Sequence, residues 1–325
     1  MTKLISVSDA NALIKDGLTL HIAGDEKALK QLAPGNWIGG TIPYFLTESG
    51  GVVDHARVLV TELPAAVIET KIAFVHALKL DDIVKGGYDN GFTIVIIPGG
   101  SNAHSTFATA IHDVAGLYET PVIGWIAGVH LDDIGKVAPL VIDGRTGETS
   151  ANGILVLHAK LADGVNAQVG IINLFEQGSG DTFQFPETGF TADACLINGE
   201  PASLYDYIKA RNLDLRLPLV ADQSGEMINV SFQTLEDATH TVRFYAPVLK
   251  GEAYRQAAPT GDYRKGLAAK LETRPVTPAF SCNCILNFVY GGLEGDQPVA
   301  IPGPATFGEI AYVLLNQTLV YLEIG

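Results

Sequence analysis

Positive charge is scarce in this sequence. Lys and Arg number 21 against 36 Asp and Glu, which leaves a formal net charge of −15. A nucleic-acid binder needs a basic face to replace the counterions around phosphates. Neither DNA nor RNA is therefore expected as a partner, and the same charge disfavours anionic membrane surfaces. Cysteine is scarce too: Cys195, Cys282 and Cys284 are the only three. An odd, low count gives no disulfide framework and fits a reducing compartment, so a cytoplasmic location is expected. Long apolar runs are missing. Phe92 to Pro98 and Gly153 to Leu157 fall far short of the roughly 20 residues that span a bilayer. The opening MTKLISVSDANALIKDG has no continuous apolar core and no small-residue cleavage site, so no signal peptide is expected. Low-complexity tracts and short tandem repeats are absent as well.

What remains is globular material. The 325 residues are 47% hydrophobic and 18% charged, and the mean hydropathy is +0.22. With no spanning segment to hold it, that hydrophobicity belongs to buried strands. The length exceeds what one core usually serves, so two domains are expected, residues 1–190 and 191–325.

Local patterns give the fold class. Phe92 to Ile97 reads FTIVII, a β-branched run that suits a strand buried on both faces. Pro98-Gly99-Gly100 breaks it, and Ser101 or Asn102 can cap a helix running to about Ala115. Pro121 to Ala127 is the next strand, which completes one βαβ-like unit. Ser8 is read as the N-cap of an earlier short helix, with Gly17 as its stop. From Val137 onward, strand candidates follow one another closely between glycine and Asp/Asn turns, as in antiparallel meanders. Asn198-Gly199 signals a tight turn, and Pro201 is read as a first-turn helical proline. Asp262 to Leu271 reads as a helix. The expected fold is α+β, with mixed and largely antiparallel sheets flanked by helices.

The chemistry-bearing candidates each have a plainer alternative. Ser101 follows a glycine turn between a strand and a helix, as a nucleophile elbow does, yet a serine N-cap explains the same residues. The loop also suits an anion at a helix N-terminus, although it lacks a P-loop lysine. His104 and His112 lie eight residues apart, too far on one helix to chelate a single ion. His130, Asp132 and Asp133 read more simply as a solvated acidic turn. Cys282 and Cys284 share a face if their segment is a strand, and buried thiols explain them without chemistry. No metal site and no cofactor is expected.

The most informative residues come late in the chain. Phe280-Ser281-Cys282 is followed by Pro302-Gly303-Pro304-Ala305-Thr306-Phe307-Gly308-Glu309-Ile310 and then by Leu315-Asn316-Gln317-Thr318-Leu319. This order resembles the C-terminal half of FIST domains, a bacterial intracellular sensory family. Trp37-Ile38-Gly39-Gly40-Thr41 and Pro121-Val122-Ile123-Gly124-Trp125-Ile126-Ala127-Gly128 resemble segments of its N-terminal half. Two departures stand out: Pro43-Tyr44-Phe45 where that family carries a Gly-Glu pair, and no arginine after Cys282, with Asn287 nearby. The resemblance implies a small-molecule sensor with its site between the halves, an amino acid or similar metabolite as ligand, and a signalling protein as possible partner. It implies a site built from Gly39, Gly40, Thr41, Trp125, Cys282, Asn283, Thr306, Glu309 and Asn316. The residues themselves allow this, since a carboxylate, an amide and backbone N–H groups complement a zwitterion. The competing expectation is a hydrolase with Ser101 or Cys282 as nucleophile.

Overall fold

The computed structural model describes residues 1–223 and 225–325. Helix makes up 19% and strand 44%, so strands dominate an α+β fold of mixed and antiparallel sheets. Among the described residues the strands form four six-stranded sheets and one three-stranded sheet.

The central sheet is built around β1 (Gly91–Pro98) and β2 (Val122–Ala127), which are parallel and joined by α1 (Asn102–Ala110). Its full order is Val313–Leu315, Glu309–Ala311, β2, β1, Ile154–Leu161, Val67–Val75. The β-branched run explains its central place. Ile94 and Ile96 face one apolar layer, while Val95 and Ile97 face another that also holds Ala103 and Phe107 of α1. A strand with two buried faces has no polar side to present, so it sits inside. Ser101 caps α1 through its Oγ, which accepts the His104 N–H at 3.0 Å.

Two further sheets pack on the other face of the central one. The first has the order Thr2–Ile5, Val58–Glu62, Leu20–Gly24, Trp37–Thr41, Val141–Asp143, Glu148–Ser150. The second holds β3 (Phe280–Cys284), β4 (Gly303–Thr306) and β6 (Thr318–Ile324), with Ala167–Asn173 beyond β6 and Tyr44–Thr47 and Gly50–Val53 beyond β4. Between β4 and β6 in the chain lies β5 (Glu309–Ala311), which belongs to the central sheet instead. Strands from both sides of residue 190 thus share the central sheet, the sheet of β3 and a third, in which Gln177–Gln184 pairs with Ala194–Ile197 and Ala253–Ala257. Residues of all three sheets meet in one apolar cluster, joined by Tyr263 and Leu267 of α2 (Tyr263–Thr273). The remaining sheets, drawn from residues 177–257, have their own core around Phe183, Leu204, Phe232 and Phe244.

Some local expectations change. The first helix is capped by Ser6 rather than Ser8, its Oγ accepting from Asp9 N. Pro201 lies in the strand Glu200–Ser203, at the end of the sheet order, where a missing N–H is tolerated. Asn198 and Gly199 have φ of 52° and 86°, the left-handed pair that a two-residue hairpin requires.

Gly124 shows how close this packing is. It sits on β2 opposite Val95 and accepts the Cys282 thiol at 3.3 Å on its carbonyl. A Cβ there would collide with the Val95 backbone, which cannot move aside inside the sheet. Gly124→Ala is expected to cost about 3 kcal/mol, the upper range for overpacking. Urea denaturation checks this, and an unchanged midpoint would show slack between β1 and β2.

Candidate functional site

Three strand ends and one turn bring the late-chain residues together. The parallel pairing of β3 with β4 sets Cys284 beside Thr306. On its other side β3 pairs with β6, Asn283 opposite Leu319, so Thr318 completes the row. Glu309, on β5, lays its carboxyl over this row. Its Oε2 accepts Thr318 N–H at 3.1 Å and Thr318 Oγ–H at 2.8 Å. Thr306 Oγ1 donates to the carbonyls of Asn283 and Gly308 at 3.2 and 3.0 Å. Asn283 Oδ1 accepts from Cys284 N, Asn287 Nδ2 and Tyr263 Oη at 2.8, 2.9 and 3.2 Å. Asn287 begins its reach from α3 (Ile285–Tyr290), the short helix that continues β3. Asn316 donates to Leu315 O at 3.0 Å, and Gln317 after it takes the left-handed conformation with φ 50°. That turn passes the chain from the central sheet to the sheet of β6.

This cluster is buried. Cys282, Asn283, Cys284, Thr306, Glu309 and Asn316 are each 1% exposed or less. Burial drives the Glu309 carboxyl up to about 8, against the hydrogen bonds from Thr318 and smaller effects of Cys284 and Thr306 that hold it down. At neutral pH Glu309 is therefore mostly uncharged. Burial, reinforced by the Glu309 carboxyl, raises both Cys282 and Cys284 well above the usual thiol range. Glu309 Oε1, Asn316 Oδ1 and Asn283 Nδ2 are buried with no partner. Such orphans are uncommon in a folded chain and call for an explanation. Two are acceptors, or in the case of the neutral carboxyl a possible donor, and the third is a donor.

Two adjoining hollows lead toward the cluster. The inner one, about 110 Å³, is walled by Cys284, Asn316, Leu286 and Val289. The outer one, about 660 Å³, lies at the start of α1. Ile134, Tyr245 and Phe307 line both.

The structure brings together five of the residues expected from sequence: Cys282, Asn283, Thr306, Glu309 and Asn316. Gly39, Gly40 and Thr41 belong to the sheet packed on the central one, while Trp125 is the cross-strand neighbour of Glu309 within the central sheet. Trp125 is paired with Glu309 along the strands, but its Nε1–H donates to His21 Nε2 at 2.7 Å. Gly40 leaves room for that indole, since a Cβ there would come within 2.8 Å of it. Thr41 Oγ1 accepts Leu140 N–H at 2.9 Å. Sequence reasoning undervalued Cys284, Thr318, Asn287 and Tyr263. Asn287 stands four residues after Asn283, a spacing that joins them across a strand-to-helix junction.

The two candidate nucleophiles are differently placed. Ser101 Oγ is occupied as a cap and also donates to Pro98 O at 2.7 Å. Cys282 points at the Gly124 carbonyl. Among the described residues, no histidine ring is hydrogen-bonded to either side chain. No group of three His, Cys, Asp or Glu side chains converges on a metal-sized site among the described residues either. His130 Nδ1 instead accepts from Asp132 N at 3.3 Å and stacks on Tyr44.

Comparison with protein families decides the kinship. A family model described as "Family of unknown function (DUF6976)" matches residues 5–325. The chain belongs to DUF6976. No curated protein and no solved structure matches it. The FIST resemblance is thereby overturned, because the matching family is DUF6976 and no FIST domain is found in the chain. The misleading motifs were short ones. Gly308-Glu309-Ile310 and Asn316-Gln317-Thr318 sit at a strand start and at a sheet-crossing turn, where glycine and asparagine recur for backbone reasons in unrelated folds.

Proposed function

We propose that this protein binds a small amine-bearing metabolite, an amino acid or a similar compound, as a cytoplasmic sensor in signal transduction. The observation that carries the reading is the Glu309 carboxyl, fully buried with Oε1 unpartnered, in a cluster that also leaves Asn316 Oδ1 and Asn283 Nδ2 without partners. Two acceptors suit an ammonium group, and the amide N–H suits an acid group. The inner hollow, walled by Cys284 and Asn316, has room for a small head group. Binding is favoured over hydrolysis because Ser101 is engaged as a cap and Cys282 faces a carbonyl. Burial also holds the Cys282 thiol in its protonated, unreactive form.

Thermal-shift measurements with a panel of amino acids and simple amines test the site. At least one compound is expected to raise the Tm of the wild-type protein. The same compound should give a much smaller shift with Glu309→Gln, which keeps the shape and hydrogen-bonding capacity but cannot become an anion. An equal shift in the variant would remove Glu309 from the site.

A further inference from the structure

The outer hollow has a chemistry that the Glu309 cluster does not explain. It lies beyond the carboxyl ends of the parallel strands β1 and β2, lined by Gly99, Gly100 and Ser101 after β1 and by Val129 after β2. Crevices at the carboxyl ends of parallel strands are common ligand sites in α/β units. The N-terminus of the nine-residue α1 opens onto it, and that end of a helix carries partial positive charge. The charge of the walls is the reverse of the whole molecule's. Lys136 and Arg243 line the hollow and no carboxylate does, in a chain where acids outnumber bases 36 to 21.

His104 is the independent observation. It lines the hollow and is 8% exposed. Its Nδ1 accepts the Gly100 N–H at 3.2 Å. The neutral ring must then carry its proton on Nε2, and Nε2 has no partner. A buried donor without an acceptor is costly, and an anion in the hollow would supply one. The loop itself offers little more. Gly99 N–H is bonded to Ala127 O, Ala103 N–H to Asn152 Oδ1, and His104 N–H to Ser101 Oγ. The anion contacts therefore fall to side chains. Lys136 is free for this role: its Nζ donates to the Asp132 carbonyl, and it has no ion pair among the described residues. Arg243 shares its Nε with Glu236 and keeps its terminal nitrogens.

We propose that the outer hollow seats a phosphomonoester, with His104, Lys136 and Arg243 holding the phosphate at the N-terminal end of α1. A phosphate near two cations and a helix start suits a group of charge about −1.5 to −2. Inorganic phosphate alone would leave most of the 660 Å³ unfilled, whereas organic ligands occupy pockets of about 300–1,000 Å³. The inference uses no residue of the Glu309 cluster, so either site can fail without the other.

Isothermal titration of the full chain with inorganic phosphate, glucose 6-phosphate and AMP, each against its phosphate-free counterpart where one exists, tests the proposal. At least one ester should bind roughly tenfold more tightly than inorganic phosphate, and glucose or adenosine should not bind detectably. Lys136→Gln and His104→Gln should each weaken that ester by about tenfold. Lys136 is on the surface, so its variant reads out binding even if the His104 variant folds poorly. The proposal is overturned by the absence of saturable binding, by esters no tighter than inorganic phosphate, or by an ester affinity untouched in the Lys136 variant.

Discussion

Replacing Glu309 with glutamine should remove one contribution to stability that declines as pH rises from about 4.5 to about 8, read as the difference between wild type and variant. The carboxyl titrates near 4.5 when free and is raised to about 8 by burial in the fold. Between those values the folded chain holds a proton that the unfolded chain has released. Stability from this group is fully present below the lower value and is lost as pH climbs through the upper one. At 1.36 kcal/mol per unit, the difference between wild type and variant should change on the order of 5 kcal/mol across the range. Urea denaturation followed by the fluorescence of Trp37 and Trp125, both buried, gives the curve directly. A variant whose pH profile parallels the wild type would mean that Glu309 is ionised in the folded protein.

On the acid side, three histidines should set the limit. Burial lowers His21 to about 3, His104 to about 4 and His158 to about 4, with Lys71 adding to the last. Their free value is near 6.5. Below that pH the unfolded chain takes up protons that the folded chain refuses, so stability drops as pH falls from 6.5 toward 4. Three such groups outweigh the opposing slope of Glu309. Their joint demand approaches the whole stability of an ordinary domain, about 5–15 kcal/mol. The protein should therefore be most stable near pH 6.5 and unfold cooperatively between about pH 4 and 5. His158→Gln, which keeps a partner for Thr93 Oγ1 now bonded to Nδ1 at 2.9 Å, should shift that acid midpoint downward. An acid midpoint that stays where it was would assign the transition to other groups.

The parts of this fold that were readable from sequence are those fixed by local physics. The FTIVII run names its own burial, because five of its six side chains are apolar and the sixth, Thr93, finds a buried partner in His158. Ser101 declares a cap by preceding a helix after a glycine turn, and Asn198-Gly199 declares a hairpin by tolerating positive φ. The convergence of Cys282, Asn283, Thr306, Glu309 and Asn316 was expected from a resemblance that proved to be to the wrong family. The structure brings these residues together by strand register, which sets Cys284 between Thr306 and Thr318. Register between strands hundreds of residues apart has no local signal. That is why Tyr44–Thr47 beside β4, or the passage of Asn316-Gln317 from one sheet to another, was not legible. For the same reason the sequence did not reveal that Trp125, the cross-strand neighbour of Glu309, commits its indole N–H to His21. Pro201 misled because a proline preceding a helix by three residues fits an edge strand as well as a first turn.

The reading of the inner site rests on one group changing charge. A ligand ammonium can pair with Glu309 only after the carboxyl gives up its proton, so binding at pH 6.5 should release close to one proton per ligand. Calorimetric titration of the amine that gives the largest thermal shift, run in two buffers of different ionisation enthalpy, counts that proton. A release near one proton per ligand is expected for the wild-type protein and none for Glu309→Gln. Binding with no proton exchange in the wild type, or the same release in the variant, would contradict it.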